Sequence, residues 1–158
     1  MSGDRFVSTQ FCDDIRQEAG NKFSLIGCYG PAIHVQPVPS VLPKLCAMVK
    51  VYTPLHRPFQ RLVVRLLRDD TPIAELAFPT EGLAPAPTIR AGVRWQLFVA
   101  VLLMSPFPVE TACALRVEVE TGEEVLSGGT TWIEAPPSEA ERPGAPAGVP
   151  HGTATVSP

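Results

Sequence analysis

The chain has 158 residues, 45% of them apolar, enough for one domain around a single core and too few for two comfortable ones. Its formal charge is −3, and its thirteen Lys and Arg are scattered, so it lacks the clustered basic footprint of a nucleic-acid binder. Eighteen prolines and twelve glycines, many lying between apolar runs, favour short strands over long helices.

The first thirty residues carry Asp4, Asp13, Asp14 and Glu18 and no apolar run of signal-peptide length, so a cytoplasmic location is expected. The longest uninterrupted apolar run, Leu97 to Met104, has eight residues against the roughly 20 that span a bilayer as a helix, so no membrane association is expected. Cys12, Cys28, Cys46 and Cys113 form no CxxC pair and fall inside strand-like segments, where they read as buried, reduced thiols.

From Arg5 to Arg16 apolar and polar residues alternate, with Val7, Phe11 and Ile15 on one parity, as in a strand. The turn QEAGN contains Gly20 and Asn21, which take positive φ at little cost, and Lys22 to Tyr29 returns as the second strand of a hairpin. Pro31, Pro37, Pro39 and Pro43 then forbid a helix and leave room for a short edge strand near Ile33 to Gln36.

Lys44 to Thr53 reads as an inner strand, apolar at Leu45, Ala47, Val49 and Val51. Gln60 to Asp69 and Ile73 to Phe78 form a hairpin across Asp69-Asp70-Thr71-Pro72. Val93 to Met104 is the most apolar segment, and its β-branched and aromatic residues select a strand covered on both faces over a short helix. Cys113 to Thr121 alternates cleanly, one face buried and one wet. Glu124 to Glu134 returns as the last strand, with Gly128-Gly129 marking a bulge.

These eight or nine short strands, with no major helix, define an all-β fold: an antiparallel two-sheet β-sandwich over residues 1–134. The Cys-Trp-Cys spacing of immunoglobulin domains is absent. Residues 135–158 hold six prolines and only Val149 and Val156 as large apolar residues, the composition of a disordered tail.

The opening FCDDIRQEAGNKFSLIGCYG, followed by a proline-rich crossing and VLPKLCAMVKVYTP, resembles a family of uncharacterised prokaryotic and phage proteins. The likeness covers about residues 9 to 134 and implies a compact β-sandwich that opens with a CDDIR strand and a SLIGxYG return. It implies no activity, cofactor or catalytic residue.

Three carboxylates, Asp13, Asp14 and Glu18, are close enough in sequence to suggest a hard-cation site. Strand alternation sends Asp13 and Asp14 to opposite faces, which favours a salt bridge to Arg16 or Lys22 over a metal. His34, His56 and His151 lie in separate loops or the tail without zinc-ligand spacing, and Ser127 before Gly128-Gly129 lacks the lysine and helix of a phosphate loop. No metal or cofactor is expected.

Phe59, Phe98, Trp95, Trp132 and Tyr52 read as core aromatics by default. Phe107, between two prolines in SPFPVE, reads instead as a surface contact for a partner, together with Asp13, Asp14 and Arg16. The functional expectation is a non-enzymatic module that binds another protein or associates with itself. The alternatives are a small-ligand or carbohydrate-binding module, and a hydrolase built from Asp13 or Asp14 with His34 or His56.

Overall fold

A computed structural model describes residues 5–85 and 92–135, so the expected tail lies, apart from Ala135, outside the described residues. The strands in chain order are β1 (Phe6–Glu18), β2 (Lys22–Cys28), β3 (Ala32–His34), β4 (Ser40–Leu42), β5 (Leu45–Pro54), β6 (Val63–Arg68), β7 (Thr71–Ala77), β8 (Trp95–Met104), β9 (Phe107–Val109), β10 (Cys113–Glu120) and β11 (Val125–Glu134). A single 3-10 turn, Thr80–Gly82, follows β7. No helix among the described residues is long and apolar enough to cross a membrane.

The first sheet has the order β2-β1-β5-β8 and the second β3-β11-β10-β6-β7; β4 and β9 form a separate ribbon. Every pairing is antiparallel except β3 with β11. The β-sandwich expected from the sequence is therefore the observed architecture.

Three hairpins follow from local turn chemistry. Gly20 and Asn21 take positive φ between β1 and β2, and Asp69 and Asp70 do so between β6 and β7, where the short polar side chain of Asp tolerates the left-handed region. The third joins β10 to β11 and carries a bulge: the register slips between Arg116 and Glu118, opposite Gly128 and Gly129. Gly128 is needed there for space, because a Cβ on it would stand 2.6 Å from Val117 Cγ1.

The inner faces of the two sheets meet in one core. Phe11, Ala47, Val49, Val51, Phe98, Ala100 and Leu102 come from the first sheet, and Val64, Leu66, Leu115, Val117, Val119 and Ile133 from the second. Alternation explains this membership: β5 contributes its odd-numbered residues and β8 its even-numbered ones.

One end of the sandwich is locked by Arg5, whose side chain is 1% exposed. Its guanidinium donates to Thr53 Oγ1, to Thr121 Oγ1 and to the carbonyls of Arg57 and Pro58, and it pairs with Glu123 and Glu124. It also lies 4.7 Å from the centroid of the Phe59 ring. A buried charge is tolerable only when its donors are satisfied in this way.

Two proline-flanked segments carry short strands. Leu42 of β4 pairs with Phe107 of β9, and this ribbon closes one edge of the core.

Candidate functional site

The outer faces of the two sheets differ in kind. On the second sheet the outward positions of β6, β7 and β10 form a lattice of ion pairs, with Trp132 and Val125 exposed beside it on β11. Arg65 contacts Glu75 at 2.6 Å and Glu120 at 2.7 Å, Arg61 contacts Glu120 at 2.8 Å, and Arg116 contacts Asp70 and Glu118. The Arg65 bond holds the Glu120 carboxyl below its ordinary range. This is the wet face that an antiparallel sandwich ordinarily presents.

Along β5 and β8 the outward face of the first sheet is largely apolar. Register places Phe6, Tyr52 and Leu97 in one row, Gln10, Met48 and Val101 in a second, and Cys12, Cys46 and Leu103 in a third. Ser8, Lys50 and Val99 form a row that carries a cation. Beyond the first row, Trp95 pairs with Pro54. Cys46 and Met48 are buried here by their neighbours although they stand outside the core cluster, so the face carries an apolar layer of its own.

That layer ends in exposed side chains: Trp95 is 41% exposed, Leu97 48% and Leu103 56%. Phe6 stacks on Tyr52 and meets Trp95 edge-on, ring centroids 5.6 Å apart. Contiguous exposed apolar surface rimmed by polar groups marks an interaction site more often than a bare monomer surface.

Asp14 and Arg16 supply the polar rim at one end. Asp14 accepts from Lys44 Nζ at 2.8 Å and from Arg16 Nε at 3.3 Å, and the Lys44 bond holds its carboxyl below the usual range. Asp13 turns elsewhere and accepts from the Tyr29 hydroxyl. Burial, together with that bond, pushes the Tyr29 hydroxyl up to about 12. The two carboxylates thus go to separate partners, and among the described residues no group of three His, Cys, Asp or Glu could hold a metal ion.

Two aromatic expectations are reversed. Phe107, expected at the surface, is 2% exposed, because it opens the strand β9 and Arg68 lies over the ring at 4.4 Å. Trp95 and Trp132, expected in the core, are exposed on the outward parities of β8 and β11. The expectation that β8 is covered on both faces is corrected as well: one parity packs into the core and the other is open.

Of the four cysteines, all free, Cys28 is exposed and the others are buried. Cys12 lies opposite both Cys28 and Cys46. Burial raises the Cys46 and Cys113 thiols, and burial with its two cysteine neighbours pushes Cys12 up to about 11, so these three are protonated and poor nucleophiles at neutral pH.

The hydrolase pairing does not assemble around His56. Asp14 binds Lys44 just before β5, whereas His56 follows Pro54 at its other end; ten residues at about 3.3 Å each separate the two by about 30 Å. His34 ends β3 in the other sheet, its Nδ1 3.7 Å from Glu134 Oε2. Instead, His56 lines a shallow cleft of about 510 Å³ with Pro54, Leu55, Val93, Arg94 and Trp95. Ser127 precedes the β11 bulge and its hydroxyl accepts from the Gly129 amide.

Sequence reasoning missed the outward parity of β8. The signal was present as a strand apolar on both parities, but only the pairing order shows that one of those faces has no cover among the described residues. No protein-family model and no curated relative matches the chain.

Proposed function

We propose that this β-sandwich is a binding or assembly module that docks on a protein through the outward face of the sheet β2-β1-β5-β8. The observation that carries this reading is the contrast between that apolar face and the ion-paired face opposite. A core of Leu97, Val101, Leu103, Trp95 and Phe6 with Asp14, Arg16 and Lys44 at its margin has the make-up of an interface, apolar and aromatic inside and polar at the rim. Phe107 has no part in it. The three buried thiols and the separated acids suit binding better than chemistry, and reduced cysteines suit an intracellular setting.

The test is affinity capture from the native host with the wild-type chain, a Leu97→Lys/Leu103→Lys variant and a Glu118→Lys variant. Partners lost with the first substitution and kept with the second support the reading. Equal recovery by all three sinks it.

A second reading has its own observation. The cleft beside Trp95 offers an aromatic wall with His56 and Arg94 as polar groups, which suits a small planar or sugar-like ligand. Tryptophan quenching by a ligand panel, abolished by Trp95→Phe and unaffected by Trp132→Phe, distinguishes it from protein docking.

A further inference from the structure

The two sheets have four lateral edges, and three of them carry the protections that keep edge strands from pairing with other chains. At the edge of the second sheet, β7 contains Pro72 and Glu75, and its ladder with β6 is broken between Leu66 and Leu67. At the other edge β3 has only three residues. At the edge of the first sheet, β2 contains Lys22 and a left-handed Gly27.

The fourth edge, β8, has none of these. Its ten residues, WQLFVAVLLM, include no charge and no proline, and its register with β5 runs unbroken from Met104 opposite Leu45 to Trp95 opposite Pro54. A long, uncharged, regular edge strand is a template for another strand.

Its backbone direction can be read from one bond. The Leu55 amide donates to the Arg94 carbonyl at 3.0 Å, which makes that pair hydrogen-bonded. In an antiparallel ladder the direction alternates, so Gln96, Phe98, Ala100 and Leu102 turn their N–H and C=O toward β5. Leu97, Val99, Val101 and Leu103 turn theirs away; among the described residues β8 pairs with no strand but β5, and no backbone hydrogen bond from a turn or loop ends on these four.

We infer that β8 pairs antiparallel with β8 of a second copy of this chain, joining two four-stranded sheets into one of eight. This rests on the proposed docking function and names the partner. A two-fold axis at Val99 sets Val99 against its own counterpart, Leu97 against Val101 and Trp95 against Leu103, each pair exchanging two hydrogen bonds. A strand without charge suits such self-pairing, because no like charges meet across the axis. The pairing also makes the outward apolar faces of the two copies continuous. The chain's own end is a poor occupant: of residues 135–158 six are prolines, which donate no backbone hydrogen bond.

Light scattering on the full chain, followed up to about 0.1 mM so that a micromolar dissociation constant is fully expressed, measures the mass. The expected result is twice the chain mass for the wild type and the single mass for Val99→Pro, whose lost N–H faces the free edge and not β5. Val99→Lys, which sets two ammonium groups opposite each other, is the second variant should the proline variant not fold; it too is expected to be monomeric, with a cooperative thermal unfolding that no longer rises with protein concentration. A dimer surviving both substitutions overturns the inference. So does a monomeric wild type whose Leu97, Val99, Val101 and Leu103 amides resist hydrogen exchange, which would place another part of the same chain on the edge. A monomeric wild type that still captures a different protein, and loses it with Leu97→Lys/Leu103→Lys, overturns the second copy as partner and leaves the docking function standing.

Discussion

Phe6 stacks on Tyr52 with ring centroids 4.2 Å apart, and the pair lies on the outward side of its sheet, away from the core. Trp95 closes against Phe6, so three aromatic rings are ordered against one another where solvent would favour polar residues. The energetics of the face therefore separate from those of the fold.

That separation is measurable. Leu97→Lys or Leu103→Lys alters a side chain about half exposed and, in chain dilute enough to be monomeric, is expected to change unfolding free energy by no more than about 0.5 kcal/mol. Leu102→Ala, on the next position but facing the core, is expected to cost about 2–5 kcal/mol. Urea titration of the variants checks the contrast.

Arg5 gives a second prediction. Its guanidinium is enclosed by Thr53, Thr121, Glu123, Glu124 and the Phe59 ring, so Arg5→Ala strips buried acceptors and acidic neighbours of their donor at once. A loss of roughly 3–5 kcal/mol is expected, and guanidinium unfolding reads it. Arg16→Ala, on a side chain that is mostly exposed, is expected to change stability by less than about 1 kcal/mol.

How far the chain could be read beforehand follows from the same residues. The hairpins were legible because Gly20-Asn21 and Asp69-Asp70 are turn chemistry acting over a few residues. The clean alternation of Cys113 to Glu120 showed the burial of β10 directly. Phe107 and Trp95 were not legible, because periodicity says which residues share a face but not which face meets the other sheet. Phe107 was hidden by the pairing of β9 with β4 across more than sixty residues of sequence, and β8 by being apolar on both parities. The candidate face was thus present in the composition of Trp95 to Leu103 and unreadable without the strand order β2-β1-β5-β8.

Thiol chemistry separates the four cysteines. Under native conditions at neutral pH one thiol, Cys28, is expected to react with a disulfide reagent, while Cys12, Cys46 and Cys113 react only on unfolding. The folded state holds the Cys12 proton to about 11, above its ordinary value of 9.0, so the unfolded chain releases that proton first as pH rises. Stability is accordingly full below pH 9 and falls between about 9 and 11. Cys12→Ala is expected to flatten that limb of a pH-dependent unfolding profile.

Gly27 provides a local control. It has φ of +65°, and a Cβ there would stand 2.0 Å from Asp13 Oδ2, so Gly27→Ala is expected to expel the Asp13 carboxylate from the Tyr29 hydroxyl. The Tyr29 hydroxyl should then titrate below about 12 while the outward face of β5 and β8 keeps its binding. Ultraviolet titration of tyrosine and capture with the variant check both halves.

The most direct measurement on the docking face is photo-crosslinking in native host cells from a reactive side chain placed at position 97 or 103, with position 118 on the ion-paired face as the reference. Crosslinks to a protein, including a second copy of the chain, from 97 and 103 and none from 118 are the expected result. Crosslinks from 118 alone, or none from any of the three, would contradict a docking role for the sheet β2-β1-β5-β8.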